Sequence, residues 1–87
     1  MEKPLVSVVL CCYNGAKYLT GQIDSILQQT YQPLELIISD DASTDNTRQV
    51  LGRYEKNPAV HIFYQKKNMG LTRNFAFAAE QTKGELI

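Results

Sequence analysis

Leu5-Val6-Ser7-Val8-Val9-Leu10-Cys11-Cys12, followed by Tyr13-Asn14-Gly15, decides the fold class of this 87-residue chain. Residues 5 to 12 are apolar on both faces, broken by Ser7, instead of alternating apolar with polar. That pattern marks a strand covered on both sides, as in a parallel sheet. Tyr13, Asn14 and Gly15 break it, and Leu19, Ile23, Ile26 and Leu27 then recur at helical spacing as one apolar stripe. This helix is expected to stop near Gln29 or Thr30, because Pro33 cannot sit within it.

Working outward, Leu34 to Ser39 is a second short apolar run and again predicts a buried strand. Asp40 to Asn46 is all polar or small and marks a turn, where Ser43 or Thr44 is expected to cap a second helix with Asp45 at its positive end. Val50, Leu51 and Tyr54 supply that helix's buried face, and Asn57 and Pro58 end it. Val60 to Tyr64 predicts a third strand, and Lys66 to Gly70 a polar loop. A third helix is expected to bury Leu71, Phe75, Ala78, Ala79 and Thr82, with Gly84 as its stop. Glu85, Leu86 and Ile87 then open a fourth strand, where the sequence runs out. Alternation of this kind predicts an α/β fold of three layers, α/β/α, around a mostly parallel sheet. Residues 1–87 are expected to be the front part of such a domain, truncated at the start of the fourth strand.

Composition narrows the partners. Nine basic and nine acidic side chains cancel, so no net field draws the chain to nucleic acid or to an anionic membrane. The longest apolar stretch is too short to span a bilayer and lacks the flanks of a signal peptide. Cys11 and Cys12 are adjacent and cannot form the usual disulfide staple, which predicts reduced thiols and a cytoplasmic setting. A metal site would need further ligands, and His61 lies far along the chain.

Ligands of open parallel sheets bind outside the carboxyl ends of the strands. Cys12, Tyr13 and Asn14 follow the first strand; Asp40, Asp41 and Ser43 follow the second. Aspartate is common in turns for structural reasons alone. Two adjacent carboxylates at a buried strand end repel each other, however, which structure by itself does not favour. Carboxylate oxygens accept hydrogen bonds from a ribose hydroxyl or a base N–H, and a tyrosine offers a flat face for stacking. No Gly-rich dinucleotide fingerprint follows the first strand, and no Gly-Lys-Ser/Thr motif occurs, so nicotinamide and phosphate-loop readings are poor.

Val6-Ser7-Val8-Val9-Leu10 with Tyr13-Asn14-Gly15 resembles the first strand and turn of family 2 glycosyltransferases of the GT-A, Rossmann-like fold. The resemblance continues through Leu27-Gln28-Gln29-Thr30-Tyr31, the run Asp40-Asp41-Ala42-Ser43-Thr44-Asp45-Asn46-Thr47, Asn68-Met69-Gly70-Leu71 with Arg73-Asn74, and Lys83-Gly84-Glu85-Leu86-Ile87. These segments span nearly the whole chain in order. The resemblance implies binding of a nucleotide-diphosphate sugar, with the backbone near Cys11 and the ring of Tyr13 at the base. It implies that Asp41 accepts a hydrogen bond from the base, that Asp40 supports the turn, and that Arg73 approaches the base or diphosphate. Asn14 either joins the nucleotide site or fixes the turn, while Lys66, Lys67 and His61 are expected to carry no catalytic duty.

The resemblance also implies a divalent cation, Mg or Mn, held by an acidic motif just beyond Ile87, and a later carboxylate as general base. This chain is therefore expected to carry no catalytic residue and no metal ligand, and to be inactive alone. The reaction implied is inverting transfer from a UDP- or dTDP-sugar to a glycan or lipid-linked acceptor in surface polysaccharide assembly, at or near the cytoplasmic membrane face. The alternative is a nucleotide-binding or interaction module without catalysis. A receiver-like phosphoacceptor domain fits poorly, since its acidic pocket belongs around the first strand. In the implied order the first strand lies between the second and fourth, so an edge of it is left largely unpaired, which predicts self-association there.

Overall fold

The computed structural model describes residues 4–29 and 33–86. Thr30, Tyr31 and Ile87, on which parts of the sequence reading fall, lie outside the described residues. The elements run β1 (Val6–Cys12), α1 (Ala16–Leu27), β2 (Leu34–Asp40), α2 (Thr47–Gly52), β3 (Val60–Tyr64), α3 (Leu71–Glu80) and β4 (Glu85–Leu86). The strands form one parallel sheet in the order β3-β2-β1-β4, so β1 does lie between β2 and β4.

Register assigns the two faces. Val6 pairs with Leu34 and Cys12 with Asp40, so alternate residues of β1 and β2 share a side. Leu36 and Ile38 of β2 pack with Leu19 and Ile23 of α1, Val50 and Leu51 of α2, and Val60 of β3 to form the main core, flanked by Val8, Leu10 and Cys12. Leu19, Ile23, Leu36, Ile38 and Leu51 are fully buried, and each contributes roughly 1.5–3 kcal/mol by leaving water. The other face carries Ser7, Glu35, Ile37 and Ser39 and is covered by α3, where Phe77 meets Phe63 edge to face at 5.4 Å between centroids.

Three local expectations need correction. The helix after the acidic turn is shorter than expected, ending at Gly52, and neither Ser43 nor Thr44 caps it; Asn46 is the N-cap and Asp45 accepts the Thr47 N–H at 2.9 Å. Helix α3 buries Asn74 and Ala78 and leaves Leu71 and Phe75 exposed, because the polar Asn74 has partners in the sheet that outweigh the apolar stripe. Gly84 does not stop that helix, which ends at Glu80. Its role is close approach: a Cβ there would lie 2.2 Å from the Leu5 carbonyl oxygen.

Glu35 explains how that approach is held. Its carboxylate accepts the Ser7 hydroxyl at 2.6 Å and the Lys83 N–H at 2.6 Å, while the Ser7 oxygen accepts the Gly84 N–H at 2.9 Å. The segment leading into β4 is thereby tied to the amino-terminal end of β1 and β2. Burial pushes the Glu35 carboxyl up, but the bonds from Ser7 and Lys83, the neighbouring His61 and the Gly84 N–H outweigh it and hold the group below its ordinary value.

Candidate nucleotide-binding site

The carboxyl ends of β1 and β2 meet the start of α3 around a cleft of about 320 Å3, lined by Cys11, Cys12, Tyr13, Asp41, Asn68, Gly70, Leu71 and Asn74. Of the residues picked out from sequence, Cys11, Tyr13 and Asp41 line this cleft together. Asn14, Asp40 and Arg73 do not line it.

The paired aspartates diverge. Asp40 is fully buried and turns toward α2: its carboxylate takes the Ser43 hydroxyl, the Cys12 thiol at 3.7 Å, and the Arg48 guanidinium at 4.0 Å. Arg48 in turn lies over the Tyr64 ring, 4.8 Å from its centroid. Asp41 turns toward α3, where its two oxygens accept the N–H groups of Met69 at 2.7 Å and Gly70 at 3.0 Å. The repulsion expected of adjacent carboxylates is relieved by sending them to opposite sides of the sheet, each onto its own donors.

Asp41 thus compensates the positive end of α3, whose N-cap Gly70 makes no side-chain cap of its own. Asn68 donates to the Asp41 carbonyl at 3.3 Å, and the Asp41 N–H continues the ladder to the Cys12 carbonyl at 2.9 Å. Below the cleft, Asn74 donates to the Ser39 carbonyl at 3.0 Å and accepts the Ser39 hydroxyl at 2.5 Å; Gln65 donates to the same hydroxyl at 3.1 Å. This strut holds α3 against the end of β2. Sequence reasoning missed Asn74 and Glu35 as packing polar groups. The signal for Glu35 was available: a charge inside Leu34-Glu35-Leu36 beside Ser7 in β1, which only a buried partner satisfies.

The turn after β1 is laced to the turn after β2. Asn14 has a left-handed backbone, φ 51°, and so does Ala42, φ 61°. The Asn14 N–H donates to Ser43 Oγ at 2.8 Å, and the Asn14 side-chain oxygen accepts the N–H groups of Thr44 at 2.8 Å and Asp45 at 3.2 Å. Arg73 is exposed near the start of α3. Both thiols are held toward the protonated form: burial first, then the Asp40 charge, pushes Cys12 up to about 12, and burial followed by the Asp41 charge raises Cys11.

The cleft offers one carboxylate with its oxygens already oriented, an aromatic ring half open to solvent, and apolar walls. Each Asp41 oxygen keeps a second lone pair for a ligand N–H or hydroxyl. The described residues do not fit a divalent cation. No group of three or more His, Cys, Asp or Glu residues converges among them, and the Asp40 carboxylate is turned away from the cleft onto the Ser43 N–H and hydroxyl.

The family described as glycosyl transferase family 2 matches residues 7–87. The chain belongs to that family. A Bacillus subtilis glycosyltransferase named for teichuronic acid biosynthesis, TuaG, is 38% identical over 86 residues, covering 98% of this chain and 34% of the relative. Among solved structures, a Pyrobaculum calidifontis mannosyltransferase in complex with GDP-Man and Mn2+ superposes with a TM-score of 0.87 at 29% identity, over 99% of this chain and 27% of that one. S. aureus TarS in complex with UDP-GlcNAc superposes with a TM-score of 0.84 at 29% identity, over 94% of this chain and 25% of that one. The GT-A fold inferred from sequence is therefore the observed one. The chain spans about a third of the length of the curated relatives it matches first. No helix among the described residues is long and apolar enough to cross a membrane.

Proposed function

We propose that this chain binds the nucleotide of a nucleotide-diphosphate sugar, as the donor-binding part of an inverting family 2 glycosyltransferase. The observation that carries the reading is the placement of Asp41. Its carboxylate is buried, oriented by two backbone N–H groups, and lines the cleft shared with the Tyr13 ring. A pyrimidine imide N–H matches the free lone pairs of that carboxylate, and the ring offers a stacking face. UDP- or dTDP-sugars are the donors proposed, with Cys11 contributing wall and backbone beside the base.

The first turn offers no anion site for the diphosphate. The N–H groups of Asn14, Gly15 and Ala16 at the start of α1 are taken by Ser43, Thr47 and Asp45, so this helix end is closed to phosphate. The exposed Arg73 is the basic group proposed for the diphosphate. A divalent cation, Mg or Mn, is proposed for the whole enzyme, supported by the Mn2+ in the mannosyltransferase complex, with ligands other than the residues described here. In the whole enzyme a hydroxyl of a glycan or lipid-linked acceptor attacks the anomeric carbon in line, a carboxylate general base outside these residues takes its proton, and the bond to the nucleotide diphosphate breaks as that group leaves. Free adjacent thiols support a cytoplasmic setting, with acceptor chemistry near the membrane face.

Calorimetric titration of UDP, dTDP and GDP onto the wild-type chain and onto Asp41→Ala tests the reading. Saturable pyrimidine binding that the variant loses supports it; equal affinity for both proteins rejects the site. The same reading includes self-association. Val8 to Cys12 pair with β2 on one side and with no strand on the other among the described residues. Light scattering that shows a monomer at high concentration contradicts pairing of two copies along that edge.

A further inference from the structure

We infer that Asn14 is a positioning residue, which with Asp45 clasps the turn after β1 onto the turn after β2 and so fixes Tyr13 relative to Asp41. The inference rests on the nucleotide reading above for its functional consequence. Its structural half stands by itself.

The clasp is reciprocal. From the second turn, Ser43 Oγ accepts the Asn14 N–H at 2.8 Å, Thr47 Oγ1 accepts the Gly15 N–H at 3.1 Å, and Asp45 Oδ2 accepts the Ala16 N–H at 3.4 Å. Three consecutive donors at the start of α1, a helix with no side-chain cap of its own, are thus satisfied by side chains 29 to 32 residues away. In return, Asn14 Oδ1 accepts the N–H groups of Thr44 and Asp45. Asp45 is held for this task by Thr47, whose N–H and hydroxyl both donate to its other oxygen. Without the clasp, each turn would leave backbone donors to water and both would gain freedom. Asparagine suits position 14 because it tolerates the left-handed backbone and carries an acceptor on a short stem.

Tyr13 immediately precedes the clasp, and Asp41 lies two residues before Ser43. Neither belongs to it, yet both line the cleft. Holding Tyr13 against Asp41 before the base arrives removes an ordering step from binding, and a looser clasp returns that step.

Asn14→Gly removes the side-chain acceptor without straining the positive φ, and comparison with Asn14→Asp separates that loss from effects of changing the residue. Asn14→Asp restores the acceptor oxygen, and is measured at high salt to screen its added charge. Two readouts decide the matter on the 87-residue chain: the UDP dissociation constant and amide exchange residue by residue. Asn14→Gly is expected to weaken UDP binding about tenfold while Asn14→Asp stays near wild type. It is also expected to speed exchange about threefold or more at Thr44 and Asp45, and equally at Gly15 and Ala16 across the clasp. Wild-type affinity in Asn14→Gly, or the same loss in Asn14→Asp, overturns the positioning role. If the wild-type chain binds no nucleotide, the functional reading fails first. Exchange then decides the clasp alone: faster Gly15 and Ala16 amides uphold it, and unchanged ones refute it.

Discussion

The Asp41 carboxylate accepts the backbone N–H of Gly70 at 3.0 Å, so the residue that follows β2 also anchors the start of α3. Together with the Met69 bond at 2.7 Å, this sets the carboxylate plane before any ligand arrives. It also couples the cleft to α3, because whatever draws on Asp41 draws on the helix terminus it compensates.

The buried Glu35 predicts an acid-sensitive step. Its folded carboxyl lies below its ordinary value, so it contributes stability above the unfolded pKa of about 4 and loses it as pH falls through the folded value. Glu35→Gln keeps the shape but not the charge. Thermal melts from pH 7 to 3 are expected to show a variant about 1–2 kcal/mol less stable at neutrality, with the gap narrowing toward acid. Parallel curves would show that the carboxylate charge is not what the Ser7, Lys83 and Gly84 groups require.

Gly84 and Gly21 make a matched pair. A methyl at position 84 meets the Leu5 carbonyl oxygen at 2.2 Å, whereas a methyl at position 21 meets nothing within 4 Å. Gly84→Ala is expected to destabilise the chain by roughly 2–4 kcal/mol through forced displacement of the segment entering β4. Gly21→Ala, within α1, is expected to stabilise it by about 0.5–1 kcal/mol. Denaturant midpoints that move together would refute the close-approach account.

Ala42 holds a left-handed backbone at φ 61° between Asp41 and Ser43. That conformation costs an L-residue roughly 1–2 kcal/mol, which glycine avoids at the expense of some unfolded-state entropy. Ala42→Gly is expected to raise stability by about 0.5–1 kcal/mol without altering the turn. A loss of stability would mean that the Ala42 methyl makes contacts that outweigh the strain.

The strands were legible because Val6–Cys12 is largely apolar on both faces, Leu34–Asp40 is apolar apart from Glu35, Ser39 and Asp40, and the turns between elements carry Gly, Pro, Asn and Asp, while the strand order came from the family resemblance. The cleft beside Asp41 was legible as a candidate site because two strand ends converge where such folds bind ligands. The faces of α3 were not. The apolar stripe from Leu71 to Phe75 predicts burial, but Asn74 finds two bonds to Ser39 that a helical pattern does not register. The divergence of Asp40 and Asp41 was hidden for a similar reason: adjacency in sequence says nothing of which side of the sheet each carboxylate takes. Asn14 showed its partners only once the second turn was placed beside it.

The most direct test of the account follows backbone amide resonances of the chain during a UDP titration. Saturable shifts are expected at Met69 and Gly70, whose N–H groups bond the Asp41 carboxylate, and at Tyr13 and Asn68 beside them, with all four unmoved in Asp41→Ala. Shifts confined to residues outside this cleft, or the same shifts with Asp41 removed, would contradict it.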